Sequence, residues 1–291
     1  MTRSKHPDEP SALLGPAEIR DLAELLDVTP TKKLGQNFVH DPNTVRKIVR
    51  VGGVEPGDVV VEVGPGLGSL TLGLLEAGAS VVAIEIDRRL AEQLPITVAQ
   101  LADASRLTVI ADDALRVVSL PEPASRLVAN LPYNVSVPVL LHLLEHVPSI
   151  RSGVVMVQAE VGHRLAAEPG SKVYGGPSVK AAWYGRWRVA GQVSRQVFWP
   201  VPNVDSVLVG FERRSPEDEL GDEALRKRTF EMVDAAFGQR RKMLRQALIP
   251  VFGDSSRAAA ALAAAGLPET ARGEQLDVDD FVSLARVEAG A

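Results

Sequence analysis

The sequence predicts an α/β fold: a mostly parallel sheet with helices on both faces and an antiparallel edge, then a small all-α C-terminal domain. Three observations carry this. Short runs rich in β-branched residues alternate with helical stretches between residues 59 and 157, as in a parallel sheet with crossover helices. Polar residues sit at or just after the carboxyl end of these runs, where open α/β sheets bind ligands. Beyond the acidic stretch Ser215–Glu223, taken as a linker, only helical periodicity remains.

The elements follow in order. Pro16 suits a first helical position, and Ile19, Leu22, Leu25 and Leu26 recur at helical spacing, so a short helix is expected, closed by Pro30. Asp41 can cap a second helix carrying Val45, Ile48 and Val49. Val59–Val63 reads as a buried strand ending at Gly64, and a glycine-rich turn leads into a helix through Leu70, Leu74 and Leu75. Further strands are expected at Val81–Ile86, Leu107–Ile110, Leu127–Ala129 and Val154–Val157. The runs Gln192–Phe198 and Ser206–Phe211, separated by Pro200-Val201-Pro202-Asn203, read as the antiparallel pair at the sheet edge. Helices are expected at Leu225–Phe237, Arg241–Leu248, Arg257–Ala265 and Val278–Val287. The expected division is an N-terminal extension over 1–30, a sheet domain over 31–214 and a helical domain over 215–291.

Composition excludes several classes. Of the 291 residues none is cysteine, which removes disulfides, thiolate zinc sites and cysteine nucleophiles and suits a reducing cytoplasm. The five histidines are scattered without metal-ligand spacing, so no metal is expected. The polar start lacks a secretory apolar run, and nowhere do about 18 uninterrupted apolar residues suggest a membrane span. The net charge of −5 opposes nucleic-acid binding, yet its distribution is uneven. Residues 1–30 carry three basic and six acidic groups, whereas 151–214 carry nine basic and four acidic. Arg240, Arg241, Lys242 and Arg245 form a further basic cluster, readable as an RNA contact or as a solvated helix face.

Gly64-Pro65-Gly66-Leu67-Gly68 lies between a strand and a helix, where glycine lets backbone approach a ligand. Glu85, at the end of the next strand, can accept from both hydroxyls of a ribose. A methyltransferase, a nicotinamide dehydrogenase and a turn without ligand all remain open from this motif. Ser69 in place of a third glycine, and a negative charge at Glu62, favour a sulfonium amino acid over a pyrophosphate. No G-K-[ST] is present, which excludes a P-loop. Asp113 can accept from a cofactor adenine or cap the next helix, with Asp112 as its competitor.

Asn130-Leu131-Pro132-Tyr133 carries the sharpest chemistry, although a strand followed by a proline turn would look the same. The exocyclic amine of adenine is a poor nucleophile because its lone pair is delocalised into the ring. Acceptors on its two N–H groups, the Asn130 side-chain oxygen and the Leu131 carbonyl, favour a more tetrahedral nitrogen. Pro132 fixes the turn, and Tyr133 offers a face to a flipped base. Catalysis would then rest on orientation and electrostatics rather than on a strong base.

With these motifs the chain resembles the ribosomal RNA adenine N6-dimethyltransferases, in particular their bacterial small-subunit branch, from about Lys32 to Leu284. The resemblance is carried by Gly35-Gln36-Asn37-Phe38-Val39, Glu62 to Gly68, Glu85-Ile86-Asp87, Asp113-Ala114 and Asn130 to Tyr133. Pro169-Gly170-Ser171-Lys172, Phe198 to Ser206 and Phe237 to Lys242 extend it. It implies a Rossmann-like domain that binds S-adenosylmethionine through Gln36, Asn37, Val39, Gly64, Gly66, Glu85, Asp113 and Asn130. The target base would lie between Tyr133 and Phe198, and Lys172, Arg240, Arg241 and Lys242 would contact RNA. The implied substrate is two adjacent adenosines in a hairpin near the 3′ end of 16S rRNA, each methylated twice within an immature 30S subunit, by an enzyme expected to be monomeric. Methylation of 23S rRNA or DNA, or a purely checkpoint role in assembly, are the competing readings. Phe198 in a strand is also readable as a core residue. Trp183, Tyr184 and Trp187, set among Lys180, Arg186 and Arg188, suit either stacking on RNA or packing.

Overall fold

A computed structural model describes residues 13–28 and 37–289. Its first elements are α1 (Pro16–Leu25), β1 (Phe38–Val39), α2 (Pro42–Val51), β2 (Val59–Val63), α3 (Ser69–Glu76), β3 (Ser80–Ile84) and α4 (Arg88–Leu101). Next come β4 (Leu107–Ile110), β5 (Arg126–Asn130), α5 (Ser136–His146), β6 (Ser152–Gln158), α6 (Ala159–Leu165) and α7 (Gly176–Tyr184). Strands β7 (Gly185–Val193), β8 (Phe198–Trp199) and β9 (Ser206–Arg213) precede α8 (Glu223–Gly238), α9 (Leu244–Ala247), α10 (Ile249–Phe252), α11 (Ser255–Ala264) and α12 (Val278–Ala289). None of the described helices is long and apolar enough to cross a membrane.

Helix starts follow local chemistry. Asp41 accepts the Thr44 N–H at 2.8 Å and the Thr44 hydroxyl at 2.6 Å, with Pro42 beginning the first turn of α2. Asp87, Asp222 and Asp254 cap α4, α8 and α11 in the same way. At α1 the Glu18 carboxylate reaches back to the Gly15 N–H at 3.1 Å. Pro30, expected to close this region, lies outside the described residues.

The main sheet has seven strands in the order β4-β3-β2-β5-β6-β9-β7. Five of them are joined by parallel pairings, β4 with β3, β3 with β2, β2 with β5, and β5 with β6. Chain order reverses on either side of β2, so the loops after β2 and β5 diverge and leave a crevice between them. Val60, Val61, Val81, Val82, Leu127, Val128, Val154 and Val155 are wholly buried. At about 1.5–3 kcal/mol for each buried aliphatic side chain, this layer supplies a large share of the driving force for folding.

The sheet edge differs from expectation. Strand β7 begins at Gly185, and only Gln192 and Val193 of the expected run Gln192–Phe198 belong to it. The Ser194 hydroxyl accepts the Gln196 N–H at 3.3 Å, turning the chain out of the strand. Phe198 and Trp199 then pair antiparallel with Val39 and Phe38 in a separate two-stranded sheet. The Trp199–Pro200 peptide is cis. The expected helix at Arg241 starts instead at Leu244, because Gln239–Lys242 form a turn closed by Lys242 N–H to Gln239 O at 2.8 Å.

Two compact units divide the chain. One runs to Gly162 and takes in Val189–Phe211; the other comprises His163–Arg188 and everything from Glu212 onward. The helical unit thus includes residues that the expected 31–214 division assigned to the sheet domain. Packing explains the difference. Tyr174 meets Phe237 edge-on at 6.0 Å and donates its hydroxyl to Leu276 O at 2.8 Å, while Trp183 and Tyr184 meet Phe230 edge-on at 6.0 and 6.3 Å.

Gly153 in β6 lies against β5, and a Cβ there would stand 1.9 Å from the Leu127 carbonyl oxygen. Backbone must move to admit it, so Gly153→Ala should destabilise the protein by about 2–4 kcal/mol in urea denaturation. A change below about 0.5 kcal/mol would show that the β5–β6 contact is looser than described.

Candidate active site

The site is built at the carboxyl ends of β2, β3, β4 and β5. Gly64 follows β2 with φ of +67°, and Gly66 and Gly68 also adopt positive φ, +58° and +96°. A Cβ on Gly66 would stand 2.8 Å from the Phe38 ring, so glycine at this position admits β1 over the turn. The Cβ position of Gly64 is 3.7 Å from Pro132, which brings the glycine turn against the Asn130–Tyr133 segment.

Glu85 is nearly buried and is held by backbone. Its carboxylate oxygens accept the Gly66 N–H at 3.1 Å and the Asp87 N–H at 2.9 Å. Burial pushes its pKa up, opposed by these N–H donors. Each oxygen keeps a second lone pair with which to accept a ribose hydroxyl. Asp113 uses one oxygen to accept the Leu115 N–H at 2.9 Å, the capping role, while Asp112 accepts the Asp113 N–H at 2.7 Å. Both face the same cavity.

Glu62 alters one premise of the sequence reading. It is 1% exposed, and its pKa is pushed up to about 8 by burial, with the Thr71 hydroxyl at 2.6 Å opposing and the charge of Glu85 adding to the rise. Burial thus opposes the negative charge that the sequence suggested at this position. The acidity of the site lies in the whole wall instead.

Asn130 ends β5. Its amide nitrogen donates to the Asn37 carbonyl at 3.0 Å, and because a carbonyl only accepts, this contact fixes which way the amide points. The other amide atom, Oδ1, is buried without a hydrogen-bond partner. Such an acceptor is costly to leave unmet, at about 1–3 kcal/mol, and is a natural place for a ligand donor. Tyr133 is tied by its hydroxyl to Ser206 Oγ at 2.7 Å, across 73 residues of sequence.

Most of these groups line one cleft. Asn37, Val39, Gly64, Gly66, Glu85, Asp113 and Asn130 all line it, and Pro132 joins them, whereas Gln36 lies outside the described residues. Leu131, Tyr133 and Phe198 are not on its wall. Phe198 is 1% exposed within the main apolar cluster, the packing role that sequence left open for it. Among the described residues the wall carries four carboxyl groups, Glu62, Glu85, Asp112 and Asp113, and no basic side chain. A cationic sulfonium amino acid suits such a wall, and a pyrophosphate does not.

Among the lining residues without a binding role in the sequence reading are Ser69 and Ile86. Ser69 opens α3 with a buried, unpartnered hydroxyl. Ile86 is 62% exposed, an apolar face beside Glu85 that suits a purine ring. The second had a signal in its place within the Glu85-Ile86-Asp87 motif, although its exposure is visible only in the fold. Ser206 had none, because its partner is distant in sequence.

The RNA candidates lie in the helical unit. Arg240 is engaged internally, with Glu274 at 2.9 Å and the Lys172 carbonyl at 3.0 Å, so the expected contacts Lys172 and Arg240 adjoin each other. Arg241 and Lys242 are exposed, with no acidic partner among the described residues. Trp183 and Tyr184 are buried rather than open for stacking, and Trp187 donates its indole N–H to Ala181 O at 2.7 Å.

The family model described as ribosomal RNA adenine dimethylase matches residues 29–288. The ribosomal RNA small subunit methyltransferase A of Leifsonia xyli subsp. xyli is 75% identical over 275 residues, covering 94% of this chain and 98% of its own. The protein of the same name from Nocardia farcinica is 60% identical over 279 residues, covering 94% and 95%. Among solved structures, the 23S rRNA methyltransferase ErmE gives a TM-score of 0.64 at 27% identity, over 86% of this chain and 99% of its own. A dimethyladenosine transferase from Plasmodium falciparum gives 0.71 at 23% identity over 85% and 95%, a likeness of fold.

If the glycine turn holds the cofactor, Gly66→Ala should weaken S-adenosylmethionine binding at least about tenfold by calorimetry, at a cost of about 1–2 kcal/mol from the left-handed backbone. Unchanged affinity would remove this turn from the binding site.

Proposed function

The chain belongs to the ribosomal RNA adenine dimethylase family, and from that premise we propose how its residues act and on which RNA. It is an S-adenosylmethionine-dependent enzyme that methylates the N6 amine of adenine in ribosomal RNA. The observation that carries the mechanism is the buried, unpartnered Oδ1 of Asn130 at the edge of an acid-lined cavity.

Asn130 Oδ1 accepts one N–H of the target amine and the Leu131 carbonyl accepts the other. Among the described residues no donor is bonded to that carbonyl, which leaves it available. The two acceptors draw the nitrogen toward tetrahedral geometry and aim its lone pair. The Asn37 carbonyl prevents the Asn130 amide from turning its nitrogen toward the substrate. Tyr133, anchored by Ser206, presents its ring to the flipped base, and Phe198 backs that site from the core. When bound, S-adenosylmethionine supplies an electrophilic methyl group on sulfur. Glu85 would hold the ribose, Asp113 the adenine amine and Ile86 the purine face, with Asn37, Val39, Gly64 and Gly66 shaping the backbone around them. The substrate proton leaves to water after transfer, so Asn130, which cannot act as a base, suffices.

For the RNA, identity favours the small subunit. The relatives sharing 75% and 60% identity are small-subunit enzymes by name, against 27% for the 23S enzyme. The proposed substrate is the pair of adjacent adenosines near the 3′ end of 16S rRNA, met in an immature 30S subunit in the cytoplasm by a monomer. Arg241 and Lys242 contribute phosphate contacts.

Asn130→Ala should lower methyl transfer by about 10²–10³-fold or more while the thermal melt stays near wild type. Transfer to immature 30S subunits at the wild-type rate would remove Asn130 from catalysis. Arg241→Ala with Lys242→Ala should weaken RNA binding and reduce the slope of log affinity against log salt by about 1–2. An unchanged slope would make the two residues a solvated face. Arg240 is left intact because it is paired with Glu274, so that its replacement would change two interactions at once.

A further inference from the structure

Glu62 occupies the most deeply buried carboxyl position on the cavity wall, and methyl transfer gives it no task. Among the described residues its carboxyl meets one donor, the Thr71 hydroxyl at 2.6 Å. The groups around it are neutral or acidic. Thr71 of α3 meets it directly and the charge of Glu85, at the end of β3, acts on it; Ser69, Asn130, Asp112 and Asp113 line the same cavity. Asp87, beyond Glu85, is paired with Arg89 at 2.9 Å. An ionised carboxylate here would lose its hydration and gain a single hydroxyl in return, beside a second buried carboxylate. Burial accordingly pushes its pKa up to about 8.

We propose that Glu62 couples cofactor binding to a proton: it is protonated while the cavity holds no cation, ionises when cationic S-adenosylmethionine enters, and is reprotonated when the neutral thioether product remains. This rests on the cofactor reading above. The balance is simple. The carboxyl O–H breaks on binding, its proton passes to solvent, and the positive charge brought by the ligand replaces it. Methyl transfer removes that charge from the ligand, and a proton returns from solvent to the carboxylate. The ionised form attracts the charged cofactor and gives the product no such attraction, so one wall favours loading and release in turn.

The sign follows from linkage. A group whose pKa falls on binding releases a proton, so affinity rises with pH until the free-site pKa is passed. Calorimetry of the full chain in buffers of different ionisation enthalpy counts that proton. At pH 7 about 0.5–1 proton should be released for each S-adenosylmethionine bound, and much less for S-adenosylhomocysteine. Cofactor affinity should rise by up to about tenfold per pH unit below about pH 8, then level off. Glu62→Gln, which keeps the neutral shape, should release no proton and show a flat profile. Infrared difference spectra of the unmodified chain should lose a protonated carboxyl C=O band on cofactor addition. No proton release with the cofactor, or equal release with cofactor and product, overturns the proposal. Wild-type release from a folded Glu62→Gln chain overturns the assignment to Glu62. Failure of the cofactor to bind at all counts against the cofactor reading instead.

Discussion

The parallel pairing of β2 with β3 on one side and β5 on the other is the constraint on which the rest of the site depends. Register places Val63 beside Ile84, and Val61 beside Leu127 three residues before Asn130. The residues that follow these strands therefore emerge at one edge of the sheet. Because the strands are buried on both faces, a slip of one residue would turn core side chains out of their packing positions, so the register is strongly held. Positions as distant in sequence as Gly64, Glu85, Asp113 and Asn130 share one cleft for this reason.

What the cleft can bind is set by charge and by unmet hydrogen bonds. Four carboxyl groups with no basic neighbour on the wall make an environment for a cation, and burial makes one of them reluctant to ionise alone. The acceptor on Asn130 is free because Asn37 occupies the other end of its amide. Both features are prepared in the fold rather than assembled by the substrate, which is what electrostatic catalysis of a weak nucleophile requires.

The helical unit is organised differently. Aromatic contacts of Tyr174, Trp183 and Tyr184 with Phe237 and Phe230 draw the segment His163–Arg188 into it. Two residues of the basic clusters are also ion-paired within this unit. Lys180 is bound to Asp234 at 2.6 Å and Arg240 to Glu274, while Arg241 and Lys242 remain exposed.

Periodicity, caps and short motifs were legible before any coordinates. The strands from Val59 to Val157, the Asp41 cap and the glycine turn each depend on neighbours in sequence, so local patterns reveal them. The two motifs from which the functional reading starts, Gly64–Gly68 and Asn130–Tyr133, were legible for the same reason, since each is contiguous. The edge strand was misplaced because β7 and β8 choose partners far along the chain, and Phe198 went to the core through its pairing with Val39. The unit boundary, the pairing of Tyr133 with Ser206 and the burial of Glu62 were decided only in three dimensions. Each depends on which groups meet after folding and how much water is left between them, quantities that a linear pattern does not contain.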